Sequence, residues 1–212
     1  MQVAVIVAGV LAEAVAWWLV STGRRRVWRL MPVVLGAMGL AAAIARPPVA
    51  AADTSIPVAL GVGLAAGLVL YLGTRGFVWV ASHWAHFRRD VVQKYAEAGE
   101  VSLAMSLVLS LAVMVPSEEL FWRGLFQGRL ESSMAGGAAA VVAWLGYVGA
   151  NLASRNLPIV AGAIVGGAVW AGLAWWSGGV LASLGSHILW TGLMLALPPV
   201  AGRHASGRGA PR

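Results

Sequence analysis

Long apolar runs alternate with short polar breaks along this chain, and the runs carry neither the alternation of a strand nor the polar face of a soluble helix. Seven stand out: Val3 to Val20, Leu30 to Ala45, Ile56 to Leu72, Val101 to Val115, Ala138 to Leu152, Pro158 to Trp176 and Val180 to Leu197. A helix crosses a membrane in about 20 residues. The pattern therefore predicts an all-α protein, a polytopic transmembrane helix bundle of about seven spans. The breaks between runs carry turn chemistry. Arg46-Pro47-Pro48 ends the second run, because consecutive prolines lack the N–H and clash with a continuing helix. Ser132 to Gly137 and Ser177-Gly178-Gly179 read as tight turns, and Pro198-Pro199 closes the last run.

Two segments depart from the pattern. From Arg75 to Glu100, Trp79, Trp84, Phe87 and Tyr95 interleave with His83, His86, Arg88, Arg89 and Lys94. Part of this stretch prolongs the third helix, and part lies at the membrane surface, where aromatic and basic residues anchor. His83 and His86 could face one another, but without a third ligand nearby anchoring is preferred to metal binding. The sixth run has Gly162 and Gly166, then Ala168 and Gly172, at four-residue spacing, a pattern that lets helix backbones approach. The chain divides into N-terminal helices and an interfacial segment (1–100), a helical core (101–198) and a basic, disordered tail (199–212).

Composition agrees with a membrane protein: 59% of residues are hydrophobic and 11% charged, where soluble domains carry about 25% charge. Mean hydropathy is +0.79. Cysteine is absent, which removes disulfides, thiolate metal sites and a cysteine nucleophile. The net charge of +7 could suggest nucleic acid, but the basic residues sit mostly in short loops and the tail. With the N-terminus outside, twelve of the fifteen Lys and Arg fall on the inner side, leaving Arg46, Arg123 and Arg129 outside. That bias explains the charge with no nucleic-acid partner. It also sets a tension, because a fourth span ending at Val115 puts the next residues near the outer surface. No cleavable signal peptide is expected, since the arginines follow the first run. Lys94 is the only lysine beside fourteen arginines in an Ala/Gly-rich chain, which points to a GC-rich bacterial source and its inner membrane.

Candidate chemistry begins directly after the fourth run, at Pro116-Ser117-Glu118-Glu119-Leu120-Phe121-Trp122-Arg123-Gly124, which is expected to continue helically to about Leu130. Adjacent carboxylates beside membrane sequence are costly and invite a functional reading. Glu119 and Arg123 are four apart with the acid first, the favourable order for an ion pair. Glu118 lies about 100° around the helix and points elsewhere. The division inferred is a supporting pair, Glu119 with Arg123, and a reactive acid, Glu118, with Trp122 as its apolar wall. The alternative is a charge cluster at the helix end. Glu13 is a lone acid in the first span, read as facing either function or a polar partner on another helix. Tyr147 and Asn151 share one helix face, as do Ser183, His187 and Thr191.

Taken together, Glu118-Glu119-x-x-x-Arg123, an aromatic-x-x-x-polar helix, a small-residue helix and a helix with His-x-x-x-polar resemble the CPBP family of CAAX-prenyl and bacteriocin-processing intramembrane proteases, including the Rce1-like type. The resemblance covers about Leu103 to Leu197. It implies a helical bundle around a cavity, in which a glutamate and a second-motif histidine activate water, and a last His and Asn stabilise the oxyanion. Glu118 would then be the general base, Glu119 and Arg123 its support, His187 an oxyanion donor and Thr191 the residue at the family's Asn. Asn151 stands where the second motif has His, so water activation falls to Glu118 alone or recruits His187. No cofactor is implied. No HExxH spacing exists, and the resemblance implies metal-free chemistry. The partners expected are a peptide or membrane-protein substrate and the lipid bilayer. A weak or inactive relative that binds a membrane partner is the alternative. A small transporter is a third class, without an inverted repeat to support it.

Overall fold

The structure is a computed structural model that describes residues 1–46, 51–98 and 100–199, with backbone alone over 93–98. Within them the helices are α1 (Gln2–Ser21), α2 (Val27–Ala45), α3 (Ile56–Ala81), α4 (Ala85–Ala98), α5 (Leu103–Glu131), α6 (Gly136–Leu152), α7 (Leu157–Ser177) and α8 (Leu181–Ala196). Five of these, α1, α2, α3, α5 and α7, are long and apolar enough to cross a membrane, while α6 and α8 are shorter apolar helices. Large apolar side chains such as Leu40, Ile44, Val69 and Trp79 face outward, as they do in a helix solvated by lipid. The basic tail lies outside the described residues from 200 onward, and so do Pro47 and Pro48, which were expected to end the second span. Gly178 takes φ 65° at the end of α7, the left-handed conformation that glycine adopts without strain.

The spanning helices alternate in direction and form one bundle with two ends. At one end the Gln2 side chain donates to the carbonyl of Ala45, and the N–H groups of Ala52 and Asp53 donate to that of Ser177. At the other end the Tyr71 hydroxyl donates to the carbonyl of Leu197, and Asp90 accepts the N–H of Leu157. The second end carries Arg24, Arg25, Arg26, Arg29, Arg88, Arg89 and Arg155. Helix α4 lies there as an amphipathic element, with Phe87 and Val91 packed on Val78. His83 and His86 do not pair: each sits against a different indole, Trp79 and Trp84 respectively, with centroids 6.0 Å apart in both cases.

Helix α5 decides where the charged stretch sits. It runs unbroken for 29 residues, so Glu118 lies midway along a span and not at its outer end. This removes the tension set by ending the fourth run at Val115. Two stretches of α5, Leu109–Met114 and Glu119–Gln127, are wide π-type turns. The first precedes Pro116, which lacks an N–H and would clash with a carbonyl one turn back in a regular helix. π-type turns inside helices gather at functional sites.

Helices α3 and α8 approach closely, and the contact rests on Gly63 and Gly67. A Cβ at Gly67 would stand 2.6 Å from the carbonyl oxygen of Ser186, and one at Gly63 would collide with that of Ala182. The small-residue pattern expected in the sixth run does not act as a unit. Gly166 is covered by its own helix's Trp170, Ala168 is exposed, and nothing lies within 4 Å of a Cβ at Gly172. Gly167, outside the pattern, makes the approach, against Tyr147 and Trp144.

Candidate active site

The carboxylate stretch of α5 builds a row of polar residues four apart. Glu119 and Arg123 are 0% and 4% exposed, and their ion pair spans 3.6 Å. Arg123 also donates from Nη2 to the carbonyl of Gly167 (3.2 Å), with its guanidinium over the rings of Tyr147 (4.8 Å) and Trp170 (5.5 Å). One step further, Gln127 donates to the carbonyl of Ala171 (3.2 Å) and to Glu131 (3.0 Å). Four-residue steps on α5 thus match four-residue steps on α7, fixing the register of the two helices. Gln127 escaped the sequence reading, although it is the next position in the row begun by Glu119 and Arg123. Beside this row is a cavity of about 30 Å³, bounded by Arg46, Arg123, Gln127 and Glu131, with room for about one water.

Helix α8 brings His187 against both carboxylates. Its Nδ1 lies 2.8 Å from Oε1 of Glu119, and its Nε2 lies 3.8 Å from Oε2 of Glu118. A carboxylate beside Nδ1 can only accept, so the hydrogen-bond network assigns the proton to Nδ1. The 3.8 Å separation is too long for a direct hydrogen bond. Trp170 stacks on the imidazole with centroids 3.5 Å apart and planes inclined by 16°. This partner was also missed. Its signal in the sequence is a large aromatic set among the small residues of α7.

Helix α6 supplies Tyr147 and Asn151, and both turn inward as their shared face predicts. The Tyr147 hydroxyl lies 3.5 Å from Oε1 of Glu118, at the limit of a hydrogen bond. The Asn151 side chain donates from Nδ2 to the Tyr147 carbonyl (3.0 Å) and to Oε1 of Glu13 (3.2 Å). Glu13, fully buried, accepts at Oε2 from the Trp122 indole (2.9 Å). Trp122, expected as a wall to Glu118, turns its indole N–H to Glu13. A buried indole N–H needs an acceptor, and Glu13 is the one in reach.

A cavity of about 750 Å³ connects these groups to the α4 end of the bundle. Glu118, Tyr147, Asn151, His187 and Thr191 line its inner part, and Leu35, Leu70, Phe77, Phe87 and Val91 are among its apolar walls. Glu119 and Arg123 do not line it and stand behind His187. The six residues singled out in sequence thus separate into four at the cavity, Glu118, Asn151, His187 and Thr191, and two in support. Among the described residues no three His, Asp or Glu side chains converge in a metal-holding arrangement.

Comparison with curated proteins and with solved structures finds no match. Comparison with protein families does: residues 100–193 match the family described as Rce1-like, type II CAAX prenyl endopeptidase Rce1-like. That segment holds α5 to most of α8, and with them Glu118, Tyr147, Asn151, His187 and Thr191 of the large cavity. Over residues 100–193, a little under half of its length, this membrane protein is similar to the Rce1-like type II CAAX prenyl endopeptidases, as the resemblance of its motifs implies.

Proposed function

We propose that this chain is an intramembrane endopeptidase that hydrolyses a peptide bond of a membrane-associated or lipidated peptide by glutamate-activated water. The observation that carries the reading is the placement of His187 between Glu119 and Glu118 at the inner end of an apolar cavity. A water spanning Glu118 Oε2 and His187 Nε2 gives its proton to Glu118 while its oxygen adds to the peptide carbonyl carbon. The Thr191 hydroxyl donates to the oxyanion. The proton on Glu118 then passes to the departing nitrogen, the C–N bond breaks, and an acid and an amine leave. Holding the water suits His187 better than the oxyanion role implied by the family resemblance, because Nδ1–H is given to Glu119 and Nε2 of the neutral ring can only accept.

Apolar walls running toward the α4 end suit a hydrophobic or lipid-bearing segment. The arginines at that end favour its facing the cytoplasm of a bacterial inner membrane. The test is cleavage of a quenched peptide library in proteoliposomes by wild type and Glu118→Gln. Activity that disappears in the variant supports the reading, and cleavage that persists sinks Glu118 as base.

A second reading is a weak or inactive relative that binds a membrane partner without cutting it. One observation favours it. Both amide hydrogens of Asn151 are committed to acceptors, and an amide cannot take a proton from water. Crosslinking of a membrane protein within the cavity, with no cleavage by wild type, would select this alternative.

A further inference from the structure

Glu13 is a fully buried acid that the proposed hydrolysis does not use. It comes from α1, outside the segment that matches the family, yet it bonds to a residue of the cavity wall. Its two oxygens each accept from an N–H, Oε2 from Trp122 at 2.9 Å and Oε1 from Asn151 at 3.2 Å. Asn151 has a second acceptor beside it, the Tyr147 carbonyl at 3.0 Å.

These contacts fix the orientation of the Asn151 amide. A side-chain amide can ordinarily be turned over, because its oxygen and nitrogen have the same shape. Here both neighbours are acceptors, so turning the amide would set its oxygen against a carboxylate and a carbonyl at once. Nδ2 must face Glu13 and Tyr147, which leaves Oδ1 as the remaining polar atom of a side chain that lines the cavity. A peptide lying in this cavity loses water from its backbone N–H groups, and an N–H buried without an acceptor is costly. The walls offer few acceptors, since most of them are apolar.

We propose that Glu13 is a positioning residue that locks the Asn151 amide with Oδ1 toward the cavity, where it accepts a backbone N–H of the bound peptide. This rests on the peptidase reading for its ligand, but the lock itself does not.

The chain contains only two asparagines, Asn151 and Asn156, so [15N]asparagine labelling in nanodiscs resolves the Asn151 side-chain amide. Its hydrogens are expected to exchange with water at least tenfold more slowly than those of Asn156, which caps the start of α7 with its side-chain oxygen. Glu13→Gln removes that protection, because glutamine can present an N–H and let the amide turn. Exchange as fast as that of Asn156 in the unaltered protein overturns the lock.

The ligand is tested in the Glu118→Gln background, with the tightest-binding member of a fluorescent peptide library. Glu13→Gln should weaken binding about tenfold, as expected from the loss of one buried hydrogen bond. A peptide N-methylated at the contacting residue should bind the two proteins equally. A merely structural Glu13 would weaken both peptides alike, and that result overturns the acceptor role. Should the lock hold while no library peptide binds, the peptidase reading and the acceptor role fall together and the lock stands. Should peptides be cleaved while the Asn151 amide exchanges freely, the inference falls and the peptidase reading survives.

Discussion

Nδ1 of His187 sits 2.8 Å from Oε1 of Glu119, and this contact determines which nitrogen of the imidazole is left to accept. With Nδ1–H committed, Nε2 turns to the cavity and to Glu118. The second carboxylate of an adjacent pair thus orients a histidine from 68 residues further along the chain. Arg123 stands behind Glu119 and balances its charge away from water.

Glu118→Gln keeps the shape of the side chain and removes its ability to take a proton. Peptide turnover should fall about 10²- to 10⁴-fold, the usual contribution of a positioned base. Peptide affinity should change little. The check is kcat and KM in proteoliposomes, and turnover within tenfold of wild type would remove Glu118 from the base role.

Glu119→Gln leaves the Arg123 guanidinium buried without its counter-charge. Breaking one partner of a buried pair costs about 3–5 kcal/mol. Thermal stability in detergent should drop visibly, and Glu119→Gln/Arg123→Met should recover part of it. Activity should not return in the double variant, because His187 would still lack a carboxylate at Nδ1. Unchanged melting in the single variant would mean that the pair does not hold the fold.

Asn151→His should raise the rate if water activation limits turnover. The new ring can donate one N–H to Glu13, as Asn151 does, and present its other nitrogen to the cavity. An added positioned base is worth about tenfold or more. If wild type is inactive and Asn151→His cleaves, the scaffold is intact and lacks only a base. A double variant with Glu118→Gln should be inactive in either case.

Gly67→Ala puts a methyl 2.6 Å from the Ser186 carbonyl, one residue before His187. Backbone cannot yield as a side-chain tip can, so α3 and α8 must separate. Overpacking of this kind costs about 1–3 kcal/mol. Activity should fall together with stability, whereas Gly76→Ala on the same helix, with nothing within 4 Å and outside the cavity lining, should alter neither. Equal melting temperatures for the two variants would contradict the close approach.

Much of this protein was legible in its sequence. Apolar runs of membrane length fixed the helices, because a lipid-solvated backbone must satisfy its own hydrogen bonds. Four-residue spacing fixed local pairs: Glu119 with Arg123, Tyr147 with Asn151, and His187 with Thr191 each share a helix face. Spacing also separated the acid at the cavity, Glu118, from the acid behind it. It could not say that α5 continues with wide turns through its charged residues, since isolated charges beside an apolar run look like a helix end until their partners are known. Those partners come from other helices. The carbonyls of Gly167 and Ala171 receive Arg123 and Gln127, Trp170 stacks on His187, and Glu13 reaches Trp122 and Asn151 across 109 and 138 residues of chain. Within one helix, periodicity assigns neighbours. Between helices they are chosen by packing, and here by which backbones lack a Cβ, as at Gly63 and Gly67, so only the tertiary structure could decide which buried acid meets which donor.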